Sequence, residues 1–351
     1  MAPPERSSSE ACLSERSSSQ GGSKAWPNPS ARQLGWGRRL VSGLGAIGLM
    51  AGMPVAAQAQ APAQAQATAG EGVVQRVART GELVLGGFPD VPPLMVVGPQ
   101  GQPSGYAILV ADRIAAELSQ ALGRPVRVRF APTDNPASLV RSIASRKADL
   151  ACGLPFSWEL EMQVDLSLPI GLSGLRLLAP AGRFDGTPAA LAGRRIGVVR
   201  QSLGATELAG MQPKATPVAF DSLKAAVAAL KANTVEGVLG DTIVLAGLVR
   251  QQGLQGLALS PDFPYEAYGV SCVMAENDSA FRNLANLAIA RLLLGYLDGQ
   301  PDTVAAVNRW LGPASAVGLK EATIRASFEA ALLGVESIRP VPEGQAAPTG
   351  R

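Results

Sequence analysis

The sequence predicts an α/β fold of two similar lobes, each a mostly parallel sheet with flanking helices. Short apolar or β-branched runs alternate with helical patterns between residues 82 and 251, the order that lays strands side by side with helices on both faces. The segment SLVRSIASRKADLACG from Ser138 is matched in kind by SLKAAVAALKANTVEGVLGD from Ser222. Each reads as a helix, a short turn and a buried strand that ends at a glycine. A length of 351 residues, 47% hydrophobic and 17% charged, suits two ordinary domains with a sizeable core.

The elements follow in order. Residues 1–37 are rich in Ser, Gly, Pro and charge without apolar periodicity, and are expected to be a disordered extension. Arg38-Arg39, the apolar run Leu40 to Val55 and then Ala56-Ala57-Gln58-Ala59 have the three regions of a secretory signal peptide over 38–59. That run is short and Gly-rich for a membrane span, so no stable membrane insertion is expected. Residues 60–72 form an Ala/Gln/Pro linker. The two lobes are expected between residues 73 and 335, and 336–351 is expected to be a loose tail.

In lobe one, Glu82 to Gly86 reads as a strand. Gly105-Tyr106 opens a helix through Leu122, with Ile108, Ala111, Ile114, Leu118 and Leu122 on one stripe. Val126 to Phe130 is a strand, Ser138 to Arg146 a helix and Asp149 to Cys152 a strand. In lobe two the strands are Arg195 to Val199, Val218 to Phe220 and Val235 to Leu239. The helices there are Leu203 to Gly210, Ser222 to Lys231 and Thr242 to Gln251. Tyr268 to Met274 is an apolar strand, and helices follow at Ser279 to Leu297, Pro301 to Leu311 and Lys320 to Leu333.

Composition removes several function classes. The chain has no histidine, which excludes Ser-His-Asp and Cys-His catalysis, His metal ligands and His-based pH switching. Cys12, Cys152 and Cys272 form no C-x-x-C pair, so zinc ribbons and thioredoxin-like sites are unsupported; no cofactor is expected. Residues 1–59 hold six of the 31 basic and three of the 28 acidic side chains, which leaves the remainder electrically balanced. Nucleic-acid binding, which needs a basic footprint, is not expected.

Lys147 to Ser167, KADLACGLPFSWELEMQVDLS, resembles a signature of the family-3 periplasmic solute-binding proteins, which usually runs D-x-x-x-G, then T-x-x-R, then D-F-S-x-P. The pieces GELVLG from Gly81, PDVPP from Pro89, Gly105-Tyr106, RRIGVV from Arg194, YGV from Tyr268 and NRWLG from Asn308 stand in the family's order, so the resemblance spans roughly Gly81 to Gly312. It implies the type II periplasmic binding fold, with Tyr268 to Met274 returning the chain to lobe one, so that lobe one takes 73–172 plus 272–335 and lobe two takes 173–271. It also implies an interlobe cleft that closes on a small polar ligand, a periplasmic location and an ABC-type permease as partner.

The family's ligand residues carry over unevenly. The arginine that grips the ligand α-carboxylate stands at Leu160 here, and no Lys or Arg lies between Lys147 and Arg176. Phe88 matches the first ligand loop, as an aromatic wall or as core packing. Tyr106 matches the position after the family's glycine, while the acids expected beyond it are Ala107 and Leu109. Gly153 begins the strand-end turn; Pro155 lacks the family's Thr hydroxyl and an N–H, which Ser157 can replace. Trp158, with Phe156, offers stacking or buttresses the loop. Glu159 keeps the acid before the lost arginine, in a capping role. Arg200 is a substitute cation and Ser202 a donor that also caps a helix. Asp241 matches the aspartate that binds the ligand ammonium, a role compatible with an N-cap. The architecture places Cys152 and Cys272 on neighbouring strands, as a disulfide or as two small buried hydrophobes.

Three functions are carried forward. The first is a receptor that delivers a solute to a membrane importer. The second is an orphan accessory protein serving a peptide-maturation or export system, since the chain also resembles the orphan substrate-binding-like proteins found beside radical-SAM-modified glycine-rich peptides. The third is an enzyme on this fold, such as a cyclohexadienyl dehydratase, for which Glu159 and Asp241 would be the available acids but no paired carboxylates are evident. The non-enzymatic reading is preferred.

Overall fold

A computed structural model describes residues 71–333 of the 351-residue chain. The expected extension, the signal peptide, the linker up to residue 70 and the loose tail lie outside the described residues. Chain order runs α1 (Val73–Thr80), β1 (Glu82–Gly87), β2 (Asp90–Val91), β3 (Met95–Val97), β4 (Pro103–Ser104), α2 (Tyr106–Leu122), β5 (Arg127–Pro132), α3 (Pro136–Ala144), β6 (Leu150–Pro155) and α4 (Trp158–Glu161). After β7 (Asp165–Pro180) come β8 (Arg195–Val199), α5 (Leu203–Met211), β9 (Thr216–Phe220), α6 (Leu223–Lys231), β10 (Gly237–Asp241), α7 (Thr242–Gln251), β11 (Leu257–Ser260) and β12 (Glu266–Met274). The last elements are α8 (Ser279–Leu297), α9 (Pro301–Asn308) and α10 (Glu321–Leu333).

One sheet organises the molecule, in the order β5-β1-β6-β12-β7-β10-β8-β9, with β11 also on β7. The pairs β1–β5, β1–β6, β8–β9 and β8–β10 are parallel, as the alternating pattern implied. The β12–β6, β12–β7, β10–β7 and β11–β7 pairs are antiparallel. This is the two-lobed α/β architecture that the sequence predicts: parallel strands β5, β1 and β6 on one side, β10, β8 and β9 on the other, and two long strands passing between them. Helices cover both lobes, so the inner strands β1, β8 and β10 are buried on two faces and read as near-continuous apolar runs, while the edge strands β5 and β9 stay partly exposed.

Local chemistry explains most boundaries. α2, α7 and α8 begin and end where the apolar spacing and caps place them. Asn135, Ser202, Ser222, Asp241 and Asp278 each accept a backbone N–H at a helix start, an N-cap contribution of about 1 kcal/mol each. The carboxylate of Asp149 fastens three elements together. It is 2% exposed, accepts the Val84 N–H at 2.6 Å and is paired with Arg76 of α1. Burial dominates its titration and raises its pKa to about 6, against the opposing pull of Arg76.

Strand β7, unexpected from sequence, is the longest in the sheet. Pro169, Gly171 and Gly174 interrupt its apolar pattern and ordinarily signal loop. Here Pro169 faces Ser271 at a register irregularity, where a proline leaves no ladder bond unmade. Cys152 and Cys272 stand directly opposite on β6 and β12 and form a disulfide, so the oxidised pair is the alternative present. No described helix is long and apolar enough to cross a membrane.

Candidate functional site

The strand ends converge on a cleft of about 400 Å³ between the lobes. The first-lobe wall comes from Gly87–Val91 after β1, Leu94 and Met95, the start of α3, and Cys152–Pro155 at the end of β6. The second-lobe wall comes from the starts of α5, α6 and α7, with Leu175 and Tyr268 from the two crossing strands. Parallel strands point their carboxyl ends at such a crevice, and the helices that follow them turn N–H groups toward it. Apolar side chains dominate the walls, among them Phe88, Leu94, Leu139, Leu154, Leu203, Leu223, Leu239 and Val244.

Asp241 is the acid set into this wall where β10 meets α7. One oxygen caps α7, accepting the Ile243 and Val244 N–H groups at 2.9 and 3.0 Å. The other accepts the Tyr268 hydroxyl at 2.8 Å. Burial raises its pKa, opposed by the hydrogen bonds that favour the charged form. The carboxylate is held in place by protein donors while its desolvation leaves it short of positive charge. The single lysine or arginine lining the cleft among the described residues is Lys224 of α6. It is paired with Asp90 of β2, a contact that reaches from lobe two to lobe one. Beside it, Gly247 of α7 packs so close to the Pro92 carbonyl that a Cβ would overlap it.

Of the sequence-derived candidates, Phe88, Gly153, Ser202 and Asp241 line the cleft. Gly153 has φ +100°, and a Cβ on it would meet Leu94 at 2.9 Å, so glycine keeps this wall thin. Ser202 donates to the Val199 carbonyl at 2.7 Å and caps α5. Four others lie outside the lining. Tyr106 is 2% exposed and donates its hydroxyl to the Ile170 carbonyl at 2.7 Å, joining α2 to β7. Ser157 caps α4 by accepting the Leu160 N–H at 3.2 Å, with Glu159 in the first turn of that helix. Trp158 is exposed and packs edge-on against Phe156, ring centres 5.2 Å apart. Arg200 is exposed and faces Asp221 at 3.4 Å. Leu160 sits one layer behind the wall, against the small apolar cluster that contains Val84, Leu139 and Val164.

Several lining residues carried no signal of their own. Tyr268 was legible only as part of the return strand. Asp90 and Lys224 are 134 residues apart, and no local pattern joins them. Leu175 lies on the unexpected strand.

Known proteins resemble this arrangement. The ABC transporter arginine-binding protein 1 of Escherichia coli K12 is 24% identical over 205 residues, covering 57% of this chain and 81% of that protein. The L-cystine-binding protein TcyJ of the same organism is 27% identical over 46% of this chain, and the match spans 56% of TcyJ. Among solved structures, the solute receptor for L-cysteine of Neisseria gonorrhoeae superposes with a TM-score of 0.61 at 21% identity, covering 71% of this chain and 98% of that one. The ancestral amino acid-binding protein AncCDT-1, a precursor of cyclohexadienyl dehydratase, superposes with a TM-score of 0.59 at 17% identity, covering 69% and 100%. At such identities these superpositions speak for the fold. The profile of the family described as bacterial extracellular solute-binding proteins, family 3, matches residues 83–318, and the chain belongs to that family.

Proposed function

We propose that this protein is an extracytoplasmic solute receptor that closes its two lobes on a small amine-bearing ligand, recognised through Asp241 without a facing arginine. The lobes divide as 73–172 plus 272–335 and 173–271, and closure turns on the two crossing strands. The observation that carries the reading is the charge inventory of the cleft, whose lining sets four acids, Asp90, Asp134, Asp221 and Asp241, against one lysine. Asp241, half-buried, is fixed in one wall by protein donors, and the single lysine of the lining is already engaged by Asp90. An ammonium group set beside Asp241 offsets the desolvation of both. An α-carboxylate would find helix N-termini and backbone donors, but no guanidinium to take it in bidentate fashion. Leu160, at the family's arginine position, adds apolar packing instead.

Relatives named for arginine, cystine and cysteine supply the test set. Calorimetry should compare L-arginine with agmatine and L-cysteine with cysteamine on the purified protein. The decarboxylated amine is expected to bind at least as tightly as its parent amino acid. Micromolar binding of a standard amino acid that collapses on removing the carboxylate would overturn the reading. Loss of the arginine equally fits an accessory protein of a peptide-maturation or export system as it does a permease-coupled receptor; co-purification with either membrane partner distinguishes them. The binding role, rather than catalysis, is favoured by the relatives' names. Prephenate turnover would argue for a dehydratase.

A further inference from the structure

A second cavity, of about 370 Å³, runs along β7 and adjoins the cleft, with which it shares Leu94 and Asp241. Successive side chains of a strand point to opposite faces: Leu175 lines the cleft and Arg176 lines this cavity. Helix α10 covers it through Ile324 and Phe328, and Tyr106, Ile170 and Leu311 extend an almost wholly apolar wall.

Arg176 is the sole lysine or arginine of that wall, and its side chain is only 18% exposed. One terminal nitrogen donates to the Leu259 carbonyl at 2.8 Å. Its Nε is buried with no partner among the described residues. The nearest acid, Asp262, is 3.9 Å away on a fully exposed side chain, where water weakens the pairing. Asp241 also borders the cavity, but it stands directly opposite Leu175. Both of its carboxylate oxygens are already engaged, one by the start of α7 and the other by Tyr268, which leaves Arg176 as the charged group whose Nε has no partner among the described residues. A guanidinium this buried is costly unless an anion meets it, and a carboxylate matches its planar fork while adding less polar bulk to an apolar cavity than a phosphate.

We propose that this cavity is a second ligand site, for a small monocarboxylic acid with an apolar body. The carboxylate meets the guanidinium of Arg176, and the body packs against Ile324 and Phe328 of α10. The cavity falls within the range of small-molecule sites, about 300–1,000 Å³. The proposal does not depend on what fills the cleft.

The test uses 3-phenylpropionate as the probe and the full chain, by isothermal titration calorimetry. Saturable binding is expected, weakened by at least about tenfold for the uncharged 3-phenylpropionamide and for Arg176→Met, the scale of a lost charge-assisted contact. Ala326→Trp, on the exposed side of α10 at the cavity mouth, blocks entry by bulk while leaving the buried residues untouched; it decides the matter if Arg176→Met does not fold. Lys224→Ala, in the cleft, should leave the affinity for the probe unchanged. Absence of saturable binding, equal binding of acid and amide, retention in Ala326→Trp, or loss in Lys224→Ala would each overturn the assignment.

Discussion

Replacing Cys152 and Cys272 together by alanine removes a cross-link between residues separated by 120 positions. Its expected effect can be worked from that separation. In the chain-entropy account, the bridge removes disorder from the unfolded chain as the logarithm of the closed loop, which for this loop gives about 5 kcal/mol at 25 °C. The bridge ties β6 of lobe one to the returning strand β12, and Cys272 is fully buried, so little native relaxation offsets the loss. Guanidinium denaturation followed by circular dichroism is the assay. With a slope of roughly 5 kcal/mol per molar for a protein of this size, the midpoint of the double variant should fall by roughly 1 M. Reductant should lower the midpoint of the parent by a similar amount and leave the variant unaffected. Unfolded, unreduced protein should show no thiol beyond Cys12. Two further thiols, or a variant midpoint equal to the parent's, would refute the reasoning.

Other expectations concern charge and close packing. Asp149 has a folded pKa of about 6, above the ordinary value near 4. Its protonated form therefore favours folding, a contribution of about 3 kcal/mol that is present below pH 4 and fades as pH rises through 6. Denaturation midpoints of Asp149→Asn and parent, compared from pH 4 to 7, should differ in slope accordingly; parallel profiles would sink the idea. Asp241→Asn preserves an N-cap for α7 but removes the negative charge, so amine binding should drop by more than about tenfold with little change in melting temperature. For the same reason, amine affinity in the parent should fall with acidity, starting above the usual carboxylate range because burial raises this pKa. Gly247→Ala places a methyl against the Pro92 carbonyl, an overlap costing about 1–3 kcal/mol where these segments pack. Ligand affinity should weaken, and unchanged affinity would remove that contact from the bound state.

The helices were the most legible part of the fold. α2, α7 and α8 carry long apolar stripes and local caps, and those signals act within a turn or two of the chain. The inner parallel strands were nearly as plain, because burial on both faces leaves almost uninterrupted apolar runs. β7 was hidden because its glycines and Pro169 serve the crossing, where irregular pairing with β12 replaces the regular ladder. β2, β3 and β4 were hidden because two- or three-residue strands show no period. The site divides in the same way. Ser202 and Asp241 sit where helix starts announce themselves, whereas Gly153, expected to end its strand, lies at a register irregularity inside β6, which runs on to Pro155; all three line the cleft. Tyr106 and Arg200 were placed by alignment to a family pattern, and packing took one inward to β7 and left the other at the surface. Asp90 with Lys224, and Arg176 with the space behind it, arise only when distant segments fold against each other.

Strands β7 and β12 carry the chain out of the first lobe and back as hydrogen-bonded neighbours, with Ser173 beside Tyr268 and Leu175 beside Glu266. Everything between them is in effect a detour whose two ends adjoin. A segment of that kind is amenable to excision: a tight reverse turn spliced across the gap would leave the remaining strands in their original order. It is equally open to exchange, since a foreign domain with adjoining ends could be grafted at the same two strands without rewiring the sheet that receives it.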